Sequence, residues 1–337
     1  MAGPVTSHGT TIGCIGHDLP TALLMASGRP WRHLPWQCGL PAPFAAQWLE
    51  DSFPGWAFGL LEQWAAGAFD DCAEVLFSRG DDATQRLYYY VCELQRAGRL
   101  RGPVPQILDI AYIPRVSSQQ RMVASLQALA GRWGVDESAL AQGIGRFNAS
   151  LAQAWPADTA RRPTGRAAAR LAQASLDSGF EAFLAQHPPV IEADPRPRLL
   201  LAGSAPPDLR LHDAVEAAGW QVAAEWHTRS LARLGTSVRE DLPPFEALAL
   251  QMRAQALGPR SFADPAVALG AAARQAGAQA VLLWLCREDE AYVWHVPAQR
   301  RVLATAGLPL LALTARRWDA ADGAAAEIMT FLESLPT

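Results

Sequence analysis

Gly67–Tyr88 reads GAFDDCAEVLFSRGDDATQRLY, and this stretch decides the fold class. Ala73–Ser78 (AEVLFS) is an apolar run of strand length, and an amphipathic helical pattern follows it as far as Arg99. A short strand that turns through Ser-Arg-Gly-Asp into a helix is the βα unit of a parallel sheet. Asp81 and Asp82 suit the N-cap and first turn of that helix, where carboxylates meet unpaired N–H groups and the positive end of the helix dipole. The same two residues lie just beyond the carboxyl end of a strand, where α/β proteins place their chemistry, so a catalytic role stays open.

The pattern extends in both directions. Residues 10–16 (TTIGCIG) predict a strand leading into the helix LPTALLMASG, with another strand near Trp31–Trp36. An irregular Pro- and Trp-rich stretch and a helix around Trp56–Ala66 come next, and Gln106–Ile110 (QILDI) predicts a further buried strand. Strands apolar on both faces and separated by helices indicate a parallel sheet covered on both sides. Residues 117–186 carry three helical patterns without strand signals, the first capped by Ser117 or Ser118 and the second by Asp136. The proline-rich run from His187 to Pro197 is a domain boundary.

Beyond it the βα alternation restarts. Arg198–Ala202 (RLLLA), WQVAAEW, Ala280–Leu285 (AVLLWL) and Pro309–Thr314 predict strands. Helices are expected at LRLHDAVEAAG, from about Pro244 and Asp264, at Tyr292–Ala306 and at Ala320–Leu335. The expected fold is α/β: two Rossmann- or flavodoxin-like lobes, residues 1–115 and 191–337, each a parallel sheet flanked by helices, joined by a helical segment over 116–190. No sequence repeat relates the halves.

Composition narrows the function. All 29 basic residues are Arg, which removes Schiff-base and P-loop lysine chemistry. Net charge is −4 and no basic run occurs, so nucleic acid is not an expected partner. The first residues lack a signal-peptide pattern and no stretch has the length of a membrane span, so neither secretion nor membrane insertion is expected. Five scattered cysteines (Cys14, Cys38, Cys72, Cys92, Cys286) form no CxxC pair, and a reducing, cytoplasmic location follows as the expectation.

Three strand ends carry polar residues: Ser78–Asp82, Gly203-Ser204-Ala205-Pro206 and Cys286–Asp289. Gly203 and Ser204, at a strand-to-helix turn, could present N–H groups to a phosphate, although both are also ordinary turn residues. Cys286 ends an apolar strand and reads equally as a ligand or as a buried small hydrophobe. GxSxG, GxGxxG and HExxH are all absent from the sequence.

Four segments, in order, resemble the 2-hydroxyacyl-CoA dehydratase and benzoyl-CoA reductase family. They are Gly13–Leu34, Gly67–Tyr88, the opening of the second lobe (LLLAGSAPPDLRLHDAVEAAGWQV), and AVLLWLCRED with the terminal AAAEIMTFLESL. The resemblance implies a dehydratase subunit paired with a paralogous subunit, as a heterodimer, and served by an ATP-dependent activator. It also implies an acyl-CoA substrate and a [4Fe-4S] cluster held by three cysteines. The reaction implied is radical dehydration of a 2-hydroxyacyl-CoA to an enoyl-CoA, a lyase activity.

The departures are specific. Asp51 and Asp81 fall where two of the cluster cysteines lie in the family, and Cys286 alone keeps the third position. One thiolate cannot hold a conventional cluster, and Cys72, at the far end of its strand, is a poor substitute. Glu327 stands where the family tends to show Arg. Three readings remain open: a cluster-less or auxiliary subunit of the dehydratase or of a benzoyl-CoA reductase, an active subunit with altered ligation, or a non-enzymatic acyl-CoA or small-molecule binding protein on the same fold. Under each, Gly203 and Ser204 are the candidate substrate contacts.

Overall fold

A computed structural model describes residues 9–189, 194–254 and 257–336. Its first sheet carries β1 (Thr11–Ile15), α1 (Thr21–Ala26), β2 (Trp31–His33), α2 (Gly55–Ala65), β3 (Cys72–Ser78), α3 (Asp82–Arg96) and β4 (Val104–Leu108). Four helices follow: α4 (Val116–Trp133), α5 (Glu137–Ala154), α6 (Gly165–Ala174) and α7 (Phe180–Gln186). The chain then runs through β5 (Arg198–Gly203), α8 (Arg210–Ala217), β6 (Gln221–Trp226), α9 (Pro244–Arg253), α10 (Pro265–Gln275), β7 (Ala280–Cys286), α11 (Glu290–Val293), α12 (Val296–Thr305), β8 (Leu310–Arg316) and α13 (Ala324–Glu333), whose strands make the second sheet.

The sheets run β2-β1-β3-β4 and β6-β5-β7-β8, with every pairing parallel. The fold is therefore α/β, with the same strand order in both halves. In each sheet the chain leaves the first strand toward one side and later returns to the other, which opens a crevice at the carboxyl ends of β1/β3 and of β5/β7. Two compact units contain these sheets. The first comprises residues up to 149 with 176–179 and 236–254; the second comprises 150–175, 180–235 and the chain beyond 254. The helices between the sheets are shared out: α4 packs on α9 in the first unit, and α6 packs on β6 in the second.

Burial follows strand position. All seven residues of β7 are buried, because a central parallel strand is covered on both faces and both edges. The strand expected at Gln106–Ile110 lies at Val104–Leu108 and is mostly half-buried, because β4 is an edge strand with one side open. Trp64 stacks on Phe77 over the first sheet, with centroids 6.2 Å apart. Against the second sheet, Leu269, Leu283, Leu285 and Leu303 form one apolar cluster, with Trp226 and Tyr292 on its margin.

The helix caps follow most of the local signals. Asp81 accepts from the Thr84 N–H at 2.7 Å, Asp136 from Ala139 at 2.8 Å, and Asp264 from Ala266 at 2.8 Å. The Ser117 or Ser118 cap does not form: α4 begins at Val116 with extended Arg115 as its N-cap. The single helix expected at Tyr292–Ala306 is two, α11 and α12, because Pro297 is tolerated only in the first turn of a helix. Among the described residues no helix is long and apolar enough to cross a membrane.

Candidate functional site

The crevice of the first unit is built around a glycine. Gly16 ends β1 at φ +102°, and a Cβ there would fall 2.1 Å from Ser78 Oγ on β3. Only glycine lets the chain turn at this point while staying close to the next strand. The turn delivers His17 and Asp18, both buried, into the space under the Ser78–Asp81 loop. His17 Nε2 lies 3.0 Å from Asp18 Oδ2, and its Nδ1 lies 3.8 Å from Asp81 Oδ2. Tyr112, buried beyond β4, donates its hydroxyl to the same Asp18 oxygen in a short hydrogen bond. Gly80 completes the cradle: a Cβ would sit 2.3 Å from Asp18 Oδ2 and 2.7 Å from His17 Cε1.

The result is a buried Tyr112–Asp18–His17 cluster at a strand-end crevice, with the partly exposed Asp81 3.8 Å from His17 Nδ1. Sequence reasoning found Asp81 and missed the other three. Gly16-His17-Asp18 directly after a strand was a usable signal. Tyr112 had none, since 94 residues separate it from Asp18.

Asp81 is also committed to its helix. Its Oδ1 accepts from Thr84 N–H, and its Oδ2 accepts from Thr84 Oγ1 at 2.8 Å. Asp51 is an exposed turn residue. Its neighbour Glu50 is the one tied to α3, through Arg86 at 2.7 Å.

In the second unit the structure does bring Gly203, Ser204 and Cys286 together. Gly203 ends β5 at φ +108°, where a Cβ would lie only 2.3 Å from the Trp284 carbonyl oxygen. Ser204 N–H donates to that carbonyl at 2.8 Å. Ser204 Oγ accepts from Cys286 N–H at 2.9 Å and donates to Asp289 in a short hydrogen bond. Ser204 thus ties β5 to the end of β7 and faces a carboxylate.

Cys286 is 2% exposed. Burial first, and then the Asp289 carboxylate, push its thiol far above the ordinary range. Among the described residues no group of three or more His, Cys, Asp and Glu could hold a metal ion. Cys286 as a buried thiol, Asp81 as a helix cap and Asp51 as an exposed carboxylate do not fit the ligands of an iron-sulfur cluster.

One consequence is directly measurable. Alkylation of the native protein near pH 8 is expected to label the partly exposed Cys38 and to spare Cys286 until denaturant is added. Equal labelling of the two by mass spectrometry would show that Cys286 is neither shielded nor held protonated.

A cavity of about 210 Å³ opens in the same unit beyond the ends of β5, β6 and β7. Leu269, Leu283, Leu285 and Trp226 form part of its wall, and His227 and Gln299 are among its polar members. Behind His227 lies Glu225 on β6, buried and pointing away from the face that Ala224 and Trp226 present to the apolar cluster. His212 of α8 approaches Glu225 Oε1 at 3.0 Å, and His227 Nε2 approaches it at 3.6 Å. His227 Nδ1 lies 3.2 Å from the Arg229 backbone nitrogen, and its Nε2 is the nitrogen that faces the carboxylate.

Burial pushes the Glu225 carboxyl up, but His227 and then His212 outweigh it and hold the group well below the usual carboxylate range. None of these three residues stood out in the sequence. His212 follows the buried face of α8 with Leu211, Ala214 and Val215, and Glu225 sits in an otherwise apolar strand.

No protein-family model matches the chain, and no curated protein matches it.

Proposed function

We propose that the chain is a cluster-less subunit of a 2-hydroxyacyl-CoA dehydratase-like system, working beside a paralogous subunit that keeps its cysteines. The observation that carries this reading is the state of the three positions that align with the family's cluster ligands. Cys286 is a buried thiol at the end of β7, Asp81 caps α3, and Asp51 is an exposed turn residue. The two four-stranded parallel sheets agree with the two lobes that the resemblance implies. Five free cysteines suit a reducing, cytoplasmic setting.

In this reading electron transfer and the acyl-CoA radical belong to the partner and its ATP-driven activator, and this chain supplies protein surface. Its own residues contribute the Tyr112–Asp18–His17 cluster at the first crevice and the Ser204–Asp289 link that braces β5 against β7. The cavity of the second unit favours one further reading, a small-molecule binding protein on the same fold.

Iron and acid-labile sulfide should be measured on protein purified and reconstituted without oxygen, alone and with a three-cysteine paralogue. The expected result is no iron on the isolated chain, and dehydration of a 2-hydroxyacyl-CoA only with the paralogue and activator present. About four irons per isolated chain, lost on Cys286→Ala, would overturn the reading. Failure of the chain to join any such paralogue would leave the binding-protein reading.

A further inference from the structure

We infer that the cavity of the second unit and the exposed apolar side chains around its mouth form one binding site for a small molecule with an apolar chain longer than the cavity. Part of the chain sits inside and the rest lies over the rim. The inference goes beyond the subunit role and does not depend on it.

Among the described residues of the second unit, the large apolar side chains that stand exposed are Phe262, Val267, Val293 and Trp294, and Trp294 is 84% exposed. All of them belong to the two segments that border the cavity. Phe262 stands between the lining residues Ser261 and Ala263, and Val267 between Pro265 and Leu269. Val293 and Trp294 stand between Tyr292 and His295, which also line it. Single exposed apolar side chains need no explanation, but their gathering around one opening marks a binding groove. The opening is also where an α/β unit places a ligand, because Gly203, Trp226 and Leu285 bring the carboxyl ends of β5, β6 and β7 to it.

Volume and wall set the kind of ligand. Leu269, Leu283, Leu285 and Trp226 give the interior its apolar surface. At about 210 Å³ the cavity is somewhat larger than the roughly 150 Å³ that holds one benzene, so it takes about six to eight carbon atoms. A longer chain leaves through the mouth, where the rim continues the apolar surface. Covering both removes more of that surface from water than filling the cavity alone. Charge has a small part in this. His227 and His295 are the described lining side chains able to carry one; His227 faces Glu225, and His295 is partly exposed beside Trp294. The apolar body of the ligand, rather than a charged head, is what this wall reads. A protein partner would need roughly 20–30 residues on each side, far more than this rim offers, so the occupant is a small molecule.

Hexanol, octanol and decanol separate the two parts of the site when titrated into the full-length chain, with calorimetry and tryptophan fluorescence as readouts. Hexanol fits inside the cavity and decanol reaches the rim. The expected result is an affinity that rises about fourfold with each added methylene as far as decanol. The double variant Phe262→Ser with Trp294→Ser changes only exposed side chains and should fold normally. It should bind hexanol as the wild type does and lose most of the gain from hexanol to decanol.

An affinity that stops rising at hexanol in the wild type, or a gain that survives intact in the double variant, would overturn the inference. So would a wild-type chain that binds no alkanol. Self-association of that chain, lost in the double variant, would then assign the rim to a protein contact. The measurement uses neither iron nor a partner subunit, so its failure is separate from failure of the dehydratase reading.

Discussion

Gly203→Ala is expected to destabilise the second unit by about 4 kcal/mol, a large share of the roughly 5–15 kcal/mol that holds a domain folded. Two costs add. At φ +108° a residue with a Cβ is outside its allowed region, at about 1–3 kcal/mol. The new methyl would also fall 2.3 Å from the Trp284 carbonyl oxygen and 2.9 Å from a Leu285 methyl. The first of these is backbone in the central strand and cannot swing aside, so overpacking adds about 1–3 kcal/mol more.

Gly219 provides the control. It has φ +78°, but a methyl added there would meet nothing within 4 Å, so Gly219→Ala should cost only the conformational term, about 1–2 kcal/mol. Urea unfolding of both variants checks the difference. Equal midpoints would mean that the close approach of β5 to β7 is not real. The position named from sequence as a ligand contact would then have no structural explanation for its glycine.

Glu225→Ala is the second substitution with a large expected effect, about 3–5 kcal/mol, because it strips the carboxylate from a buried group with two histidines. The acid-side behaviour is the more diagnostic readout. In the unfolded chain Glu225 takes up a proton as pH falls through the ordinary Glu value of about 4.3. In the folded protein His227 and His212 keep it ionised to lower pH. Below the ordinary value the unfolded state therefore binds more protons than the folded one, and stability falls as pH falls.

That contribution is fully present above the ordinary Glu range and is lost as the medium becomes strongly acid. Glu225→Gln keeps the shape and a hydrogen-bonding group but cannot titrate. Its unfolding free energy should depend less on pH between about 4.3 and 2 than that of the wild type. Parallel acid limbs for the two proteins would refute a carboxylate stabilised by the histidine pair.

The first of these groups was half visible in sequence and the second was not. Gly203 follows an apolar run and precedes Ser204, so its place at a strand-to-helix turn is legible locally. What the sequence does not disclose is that the turn presses against the Trp284 carbonyl, 81 residues further on. Glu225 and His212 are only 13 residues apart, but one is on a strand and the other on a helix, with no spacing rule to join them. Cys286 shows the same division. Its position at the end of an apolar strand is legible in the sequence, and what pushes its thiol up, burial first and then the Asp289 carboxylate, comes only with folding.

The α/β class, the strands of both sheets and the caps at Asp81 and Asp136 were all legible residue by residue, because apolar runs, helical periodicity and capping act within a few positions. The β2-β1-β3-β4 and β6-β5-β7-β8 orders emerged only on folding. So did the meeting of Tyr112 with Asp18 and the His212–Glu225–His227 group. Those contacts join residues whose separation along the chain has no fixed length, and parallel strands connected by helices bring them together only when the sheet is complete.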